Sequence, residues 1–301
     1  MPDRLVIYVS FRSASIPVDE LGRQYHLGVR KGEIPRYVLL PGDPGRVPLI
    51  ASFWDESRLL SSHREYVTYV GKYRGVDVAA VSTGIGGPAT AIAIEELLRV
   101  GADTFIRVGT TGALRKEIEL GDLIITSAAV RYDGVSKIYV DPEYPAVASV
   151  DVLLALIEAA EELGVKYHVG ITASSDSFYV GQGRPGFKNY LPKQWSDIHL
   201  RLAEVNVLNF EMEAATILTL ANIYGGRGGA VCAVIANRIT DEFTPGVGVE
   251  DAIKVANEAV RILKEWDDLK AEKRITYLSV SNLSEWYLRN RKQVLQEQDG
   301  G

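Results

Sequence analysis

The sequence predicts an α/β protein, with a central mixed β-sheet flanked by helices on both sides. Short apolar and β-branched runs alternate along the 301-residue chain with longer segments of helical period, and this alternation is typical of a layered α/β fold. Several strands are apolar on both faces, as expected where helices cover each side. No linker or shift in composition divides the middle of the chain. We therefore predict a single domain over residues 1–301, with a core at about 25–266 and a peripheral C-terminal appendage at 267–301.

Each predicted element has its own local signal. Apolar runs predict seven strands, at Tyr37–Leu40, Val76–Ser82, Thr104–Val108, Leu123–Thr126, His168–Ala173, Val205–Phe210 and Ala230–Ala236. Apolar residues at helical spacing predict four helices, at Ala89–Val100, Asp151–Leu163, Met212–Tyr224 and Glu250–Trp266. Pro88 suits the first turn of the first helix, and Gly164 suits the end of the second. The charged tail after Asp267 has one apolar patch, at Ile275–Val280.

Composition and charge exclude several classes of protein. The formal net charge is −6 and no run of five basic residues occurs, so the chain lacks the basic footprint of a general nucleic-acid binder. No apolar segment approaches the ~18 residues of a membrane span, and the N-terminal apolar stretch at 5–11 is far shorter. The single cysteine, Cys232, stands in an apolar run and is expected to be a buried thiol in a reducing compartment. We expect a cytoplasmic protein that binds neither nucleic acid nor membranes.

Two glycine-rich turns follow predicted strands. The turn Pro41-Gly-Asp-Pro-Gly-Arg46 can direct backbone N–H groups and a guanidinium at an anion, although a plain strand-to-helix turn has the same composition. The turn Thr83-Gly-Ile-Gly-Gly-Pro88 only faintly matches a dinucleotide-binding turn, because no acidic residue ends the next strand. Its glycines instead favour close approach of a ligand or a second subunit to the backbone.

Arg107 stands near the end of an otherwise apolar strand, before a glycine- and threonine-rich turn predicted at 108–112. A buried guanidinium needs a counter-anion, because an unpaired buried charge costs several kcal/mol or more. The partner is either an internal carboxylate or a bound phosphate. The position at the carboxyl end of a strand, where ligands of α/β sheets bind, favours phosphate. Thr110 would be a further donor beside the arginine.

Glu211 and Glu213 follow a strand and open a helix. Glutamates two positions apart on a helix point to different faces, so they do not form an acid/base pair. One could accept hydrogen bonds from both hydroxyls of a ribose while the other caps the helix or pairs with a cation. A solvated first-turn glutamate, favoured by the helix dipole, is the alternative for either residue.

Phe178, Gln182 and Arg184 combine an aromatic face with planar hydrogen-bond donors. This set suits a flat heterocycle that carries carbonyl oxygens. The four histidines are scattered without metal-ligand spacing, so we expect no zinc site. No Gly-x-Ser-x-Gly motif supports a serine hydrolase either.

Seven motifs, taken in order, resemble the nucleoside phosphorylase I family. They are His26-Leu-Gly28, Pro41-Gly-Asp-Pro44 with Arg46, His63-Arg-Glu65, Ser82-Thr-Gly-Ile-Gly-Gly-Pro88, Arg107-Val-Gly-Thr-Thr-Gly-Ala113, Ala173-Ser-Ser-Asp-Ser-Phe178 and Glu211-Met-Glu213. The resemblance extends from about residue 25 to about residue 265. It implies a mixed sheet flanked by helices and a homohexamer of three dimers, in which a neighbouring subunit completes each active site.

The resemblance also implies a role for individual residues. Phosphate would contact four residues of one chain, Gly42, Arg46, Arg107 and Thr110. The neighbouring subunit would contribute a third arginine, Arg64. Ribose would be held by Met212 and Glu213, while His26 of the neighbour would reach its 5′-hydroxyl. The base and its negative charge would meet four side chains: Phe178, Gln182, Arg184 and Arg238.

The base end of this resemblance favours a pyrimidine. Purine-specific hexameric relatives carry a Ser-Asp pair where this chain has Asn237 and Arg238, and a cation there suits a uracil O4 that gathers negative charge. The implied reaction is phosphorolysis of a pyrimidine ribonucleoside, uridine above all, to uracil and ribose 1-phosphate. The alternatives are a purine or broad-specificity phosphorylase, a nucleosidase and a catalytically silent nucleoside-binding protein.

The implied chemistry needs no cofactor besides the co-substrate phosphate. Where the family's interfacial potassium site is described, it uses a serine hydroxyl at the position that is Ala89 in this chain. The side chain of Glu65 and the carbonyl of Ile85 remain as candidate ligands.

Overall fold

The computed structural model describes residues 13–298, in which eleven strands form one mixed sheet. The apolar stretch at 5–11 therefore lies outside the described residues. In chain order the strands are β1 Tyr37–Leu40, β2 Glu56–His63, β3 Tyr66–Tyr73, β4 Val76–Val81, β5 Thr104–Ala113, β6 Leu123–Tyr132, β7 Ala146–Val147, β8 Tyr167–Ser175, β9 Val207–Glu211, β10 Arg227–Asn237 and β11 Glu242–Phe243.

The sheet closes on itself at one end. Its order is β11-β10-β6-β8-β9-β5-β1-β4-β3-β2, and β10 also pairs with β5, so β5, β10, β6, β8 and β9 form a ring. β1 lies parallel to both β4 and β5, and β10 lies parallel to β5. The carboxyl ends of these four strands therefore meet at one edge, which is where ligands of α/β sheets bind.

Eight helices are described, and they cover both faces of the sheet. They are α1 Arg46–Ala51, α2 Gly87–Val100, α3 Ser136–Tyr139, α4 Val150–Leu163, α5 Ile198–Glu204, α6 Ala214–Ile223, α7 Val249–Lys273 and α8 Val280–Gln298. Tyr37 and Leu39 of β1 pack into a core with α1, α4 and α7, whereas Val38 and Leu40 pack into a second core with α2 and α6. Both faces of β1 are thus buried, and the predicted mixed sheet flanked by helices is confirmed.

Local signals account for most of the predicted elements. Pro88 lies in the first turn of α2, and Gly164 ends α4 in a left-handed conformation. The predicted turn at 108–112 was wrong, because β5 continues through it to Ala113 alongside β10. Two long strands, β2 and β3, were not predicted. β2 is an edge strand with mostly exposed side chains, so it lacks the apolar pattern by which buried strands are recognised.

The C-terminal segment continues α7 to Lys273 and then forms α8. Trp286 of α8 is buried against Trp266 of α7, with ring centroids 5.5 Å apart. The predicted apolar patch is largely outside this contact, since Tyr277 and Val280 are exposed. None of the helices described between residues 13 and 298 is long and apolar enough to cross a membrane. Cys232 is fully buried, as predicted, and burial raises the pKa of its thiol to about 11.

Candidate active site

A cavity of about 590 Å³ opens at the edge of the sheet where the parallel strands end. The β1–α1 turn, the β4–α2 turn, the end of β5 and the β9–α6 junction all contribute to its wall. Among the predicted site residues, the structure brings together these: Gly42, Arg46, Glu65, Ile85, Arg107, Thr110, Phe178, Gln182, Arg184, Met212 and Glu213.

The cavity also contains residues that the sequence did not single out. These are chiefly apolar side chains at the ends of β9, β10 and β11: Phe210, Ile235, Ala236 and Phe243. Phe210, Ile235 and Ala236 belong to apolar runs that the core explains equally well, whereas Phe243 is a single aromatic residue among polar neighbours. Their position next to a polar cavity becomes evident only when the strands are paired.

Arg107 forms ion pairs with two carboxylates on the floor of the cavity. Its Nη2 lies 2.7 Å from Glu213 Oε2. Its Nε also lies 2.7 Å from Glu211 Oε2, although this N–H is not directed for a hydrogen bond. Burial alone would lower the pKa of Arg107, but the two glutamates raise it above its usual range. The sequence left either an internal carboxylate or a bound phosphate as the partner of Arg107. The structure shows two internal carboxylates in that role.

Gly109 provides the space in which the Arg107 guanidinium lies. A Cβ on Gly109 would stand 2.7 Å from Arg107 Cζ and 2.8 Å from Cys232 Sγ. Residues two apart on a strand share a face, so the arginine side chain passes directly over this glycine. A glycine at this position therefore lets the guanidinium lie back along β5 toward the two glutamates.

The two glutamates differ in what they bind. Glu211 Oε2 accepts the backbone N–H groups of Glu213 and Ala214, each at 2.8 Å, so it caps the start of α6. Ser174 also donates to Glu211. Glu213 accepts the backbone N–H of Gly86 at 2.5 Å, and its burial raises its pKa despite the opposing effect of Arg107. Glu213 is the carboxylate that remains available to a ligand.

Arg46 is the second cation of the cavity. Its Nη1 donates to the carbonyl of Val108 at 3.1 Å, and among the side chains that the structure describes, at 13–289, no carboxylate pairs with it at 4 Å or closer. Burial and the positive charge of Arg107 lower its pKa. A partly buried cation held next to another cation has a strong requirement for an anion.

The opposite end of the cavity is formed by donors around Gln182. Arg184 donates to Gln182 Oε1 at 2.5 Å, and its Cζ lies 4.1 Å from the centre of the Phe178 ring. Arg238 does not line the cavity, but its Nη1 donates to the Gln182 carbonyl at 2.9 Å. Burial and the nearby Arg238 lower the pKa of Arg184 to about 10. With Oε1 occupied, the Gln182 amide presents N–H donors, so this end suits a ligand with acceptor oxygens.

His26 and Arg64 lie away from this cavity. Arg64 Nη2 donates to the hydroxyl of Tyr25 at 3.1 Å, and His26 Nδ1 lies 2.7 Å from Glu96 Oε1. Neither residue lines the cavity of its own chain.

The candidate potassium ligands fit a cation poorly. Glu65 and Ile85 line the cavity, and Gly84 lies between Glu65 and Ala89. The methyl group of Ala89 supplies no oxygen, and its carbonyl already accepts a hydrogen bond from Tyr66 at 2.9 Å. A hard cation needs several oxygen ligands, and of these candidates only the Glu65 carboxylate and the Ile85 carbonyl supply any.

Fold and cavity together are those of an α/β protein whose cavity, at the carboxyl ends of parallel strands, suits an anion beside a polar, planar ligand. Comparison with known proteins identifies its family. The chain belongs to the phosphorylase superfamily, whose profile matches residues 36–265. The family resemblance drawn from the seven motifs is thereby confirmed.

The regions aligned with this chain cover nearly the whole length of each of three relatives. Uridine phosphorylase of Thermococcus kodakarensis is 61% identical over 267 residues, which cover 88% of this chain and 96% of that protein. Uridine phosphorylase of Escherichia coli is 42% identical over 246 residues, covering 79% and 97%. Guanosine phosphorylase of Halorubrum lacusprofundi is 39% identical over 254 residues, covering 81% and 100%.

Proposed function

We propose that this protein is a pentosyltransferase that cleaves uridine with inorganic phosphate to give uracil and ribose 1-phosphate. The observation that carries the proposal is Arg46, a partly buried cation beside Arg107 with no paired carboxylate among the described residues. The uridine phosphorylases among the relatives support the choice of nucleoside.

The phosphate subsite is formed where the β1–α1 turn meets β5. Arg46, Arg107 and Thr110 line the same cavity as Gly42, and a glycine lets a ligand approach the backbone closely. A phosphate here would contact the free charge of Arg46 and share Arg107 with Glu213. Arg64 of a second copy would supply a third cation.

The ribose and base subsites follow along the cavity. Glu213 accepts the ribose hydroxyls, next to the side chain of Met212. Gln182 and Arg184 donate toward the carbonyl oxygens of uracil, Arg238 holds the Gln182 carbonyl from behind and adds positive charge there, and Phe178 faces the sugar and base. Such a donor set discriminates between bases because an unmatched buried donor is costly.

The reaction is a displacement at C1′. A phosphate oxygen forms the new bond to C1′ as the bond between C1′ and N1 breaks, and the electron pair of that bond leaves with uracil. Phosphate held against C1′ stabilises the positive charge on the sugar while it attacks. The uracil anion is stabilised by the donors around Gln182, and no cofactor takes part.

We propose that the active enzyme is a homohexamer of three dimers in the cytoplasm. The positions of Arg64 and His26 outside their own cavity support shared sites. A purine substrate is the second candidate, because one relative is a guanosine phosphorylase.

Purified protein should be assayed with uridine, thymidine, inosine, guanosine and adenosine, with and without phosphate. We expect phosphate-dependent release of uracil, with kcat/KM for uridine above that for every purine nucleoside. If a purine nucleoside is cleaved as well as uridine or better, the pyrimidine assignment fails. Cleavage that proceeds equally without phosphate would indicate a nucleosidase, and no cleavage at all would indicate a binding protein.

A further inference from the structure

Glu96 on α2 is a buried carboxylate that the proposed mechanism does not use. Its residue is 4% exposed, and in the described part of the chain the only basic side chain within 4 Å of its carboxylate is that of His26. The backbone N–H of Leu27 donates to Glu96 Oε2 at 2.8 Å, and that of His26 lies 3.1 Å from Oε1 and 3.2 Å from Oε2. Glu96 therefore fixes the backbone at His26 and Leu27, because it accepts a hydrogen bond from each of their N–H groups.

The same carboxylate determines which ring nitrogen of His26 carries the proton. His26 Nδ1 lies 2.7 Å from Glu96 Oε1, and an ionised carboxylate can only accept hydrogen bonds. Nδ1 must then be the donor. A neutral imidazole has one N–H, so Nε2 keeps its lone pair and accepts.

The surroundings keep the ring in this orientation. The Tyr25 and Tyr66 rings contact the imidazole edge-on, with centroids 4.8 Å and 6.2 Å away. The His63 Nδ1 lies 3.0 Å from the His26 carbonyl oxygen. The His26 side chain is 23% exposed, and the ring edge against Glu96 is the buried one. The edge that carries Nε2 is therefore the one presented outward.

We infer that Glu96 is a positioning residue that makes His26 Nε2 a hydrogen-bond acceptor, so that the site it completes selects a nucleoside with a hydrogen-bond donor at its 5′ position. This rests on the proposed function, in which His26 approaches the 5′ end of the ribose bound by a second copy. A free 5′-hydroxyl satisfies the acceptor. A 5′ substituent that only accepts, such as fluorine or a phosphate dianion, brings one lone pair against another.

The wild-type enzyme can test directly whether His26 Nε2 acts as a hydrogen-bond acceptor. Uridine should be compared with 5′-deoxyuridine, which has no 5′ substituent, and 5′-deoxy-5′-fluorouridine, which has one of similar size without a proton. We expect kcat/KM to fall by about tenfold for both analogues, which is the effect of about 1.4 kcal/mol. A fluoro analogue that is cleaved as well as uridine would overturn the inference.

The Glu96→Gln variant tests the positioning role, because an amide NH2 can donate to Nδ1 and thereby move the ring proton to Nε2. The advantage of uridine over the fluoro analogue should fall to within about twofold, while kcat/KM for 5′-deoxyuridine changes by less than about twofold. Glu95→Gln is the matched control, since Glu95 lies on the same helix but pairs with Arg99 and Tyr224. It should keep the wild-type preference.

Several results would contradict the inference. If Glu96→Gln lowers kcat/KM equally for all three substrates, Glu96 has only a structural role. If the variant keeps the wild-type preference for uridine over the fluoro analogue, Glu96 does not determine which nitrogen of the His26 ring is protonated. If Glu96→Gln does not fold, the three substrates of the wild-type enzyme still show whether His26 Nε2 accepts a hydrogen bond. His26→Ala should abolish the preference for uridine over the fluoro analogue. Failure of the proposed function looks different, because no substrate would then be cleaved in a phosphate-dependent way.

Discussion

Arg107 and Glu213 contact each other at 2.7 Å on the floor of the cavity. The cation assigned to phosphate is thus bonded to the carboxylate assigned to ribose. The two subsites share one ion pair, and Glu211 completes it from the other side. Any change at Arg107 consequently affects the folded core as well as the ligands.

Arg107→Ala should abolish phosphorolysis and also destabilise the protein by about 3–5 kcal/mol, because two buried carboxylates lose their cation. If phosphate were the only partner of Arg107, as the sequence favours, the variant would keep its stability. Arg46→Ala is the matched control. Among the described residues, Arg46 donates a side-chain hydrogen bond only to the Val108 carbonyl, so Arg46→Ala should lose activity with less than about 1 kcal/mol in stability. Urea unfolding of both variants measures the difference, and equal stabilities would contradict the role of the ion pairs.

Arg64 should act in the cavity of a neighbouring copy. An Arg64→Ala chain mixed with a Glu213→Ala chain should recover activity, because one site in each mixed dimer has both residues. Random exchange would restore about one quarter of the sites. Mixing Arg46→Ala with Glu213→Ala should recover none, since both residues line the same cavity. Equal activity of the two mixtures, once subunit exchange has been demonstrated, would exclude sharing.

Arg238→Ala and Gln182→Ala should affect uridine cleavage differently. Removing the cation next to the leaving group should lower kcat by about a hundredfold, because its charge matters most in the transition state. Removing Gln182 should also raise KM, because its amide contacts the base in the ground state. Steady-state kinetics with uridine separates the two effects. A change in KM alone for Arg238→Ala would argue against leaving-group stabilisation.

Asp267 should make stability depend on pH in the acid range. Burial alone would raise its pKa, but hydrogen bonds from Arg227, Tyr37 and Lys270 lower it to about 2. A lowered folded-state pKa stabilises the fold above the unfolded value of about 3.9. That contribution, about 1–2 kcal/mol, is lost as the pH falls from about 4 to about 2.

Asp267→Asn should remove this part of the pH dependence. Urea unfolding between pH 7 and about pH 2 measures it. Asp268→Asn is the control at the neighbouring position, because Asp268 is exposed and pairs only with Lys264 among the described residues. Parallel pH profiles for wild type and Asp267→Asn would contradict the prediction.

Trp286→Ala should release α8 from α7 and destabilise the protein by about 3 kcal/mol, because a large buried side chain is removed. The kcat/KM for uridine should stay within about twofold, since α8 contributes nothing to the described cavity wall. Thermal unfolding and proteolysis of the C-terminal segment measure the effect. Tyr277→Ala, at an exposed position, should change neither stability nor activity. An equally stable Trp286→Ala variant would show that the contact is marginal.

The sequence by itself determined the layered α/β fold and most of its elements. Apolar strands such as β1 and the apolar helix α2 are recognisable because their period and composition depend only on local chemistry and on burial on both sides. It also indicated Arg46, Arg107 and Glu213, because polar residues at or just after the ends of buried strands require a partner or a ligand. Gln182 was indicated by its planar donors near the aromatic ring of Phe178 in the sequence.

Only the tertiary structure decided how those residues pair. The chain contains many carboxylates, and sequence spacing does not show that Glu211 and Glu213 meet Arg107, since pairing of β5, β9 and β10 brings them together. Phe243 likewise lines the cavity only because its strand, β11, pairs with β10. Glu96 shows the limit most clearly, because it lies 70 positions from His26, and a contact between distant segments is set by the packing of the whole fold rather than by any local pattern.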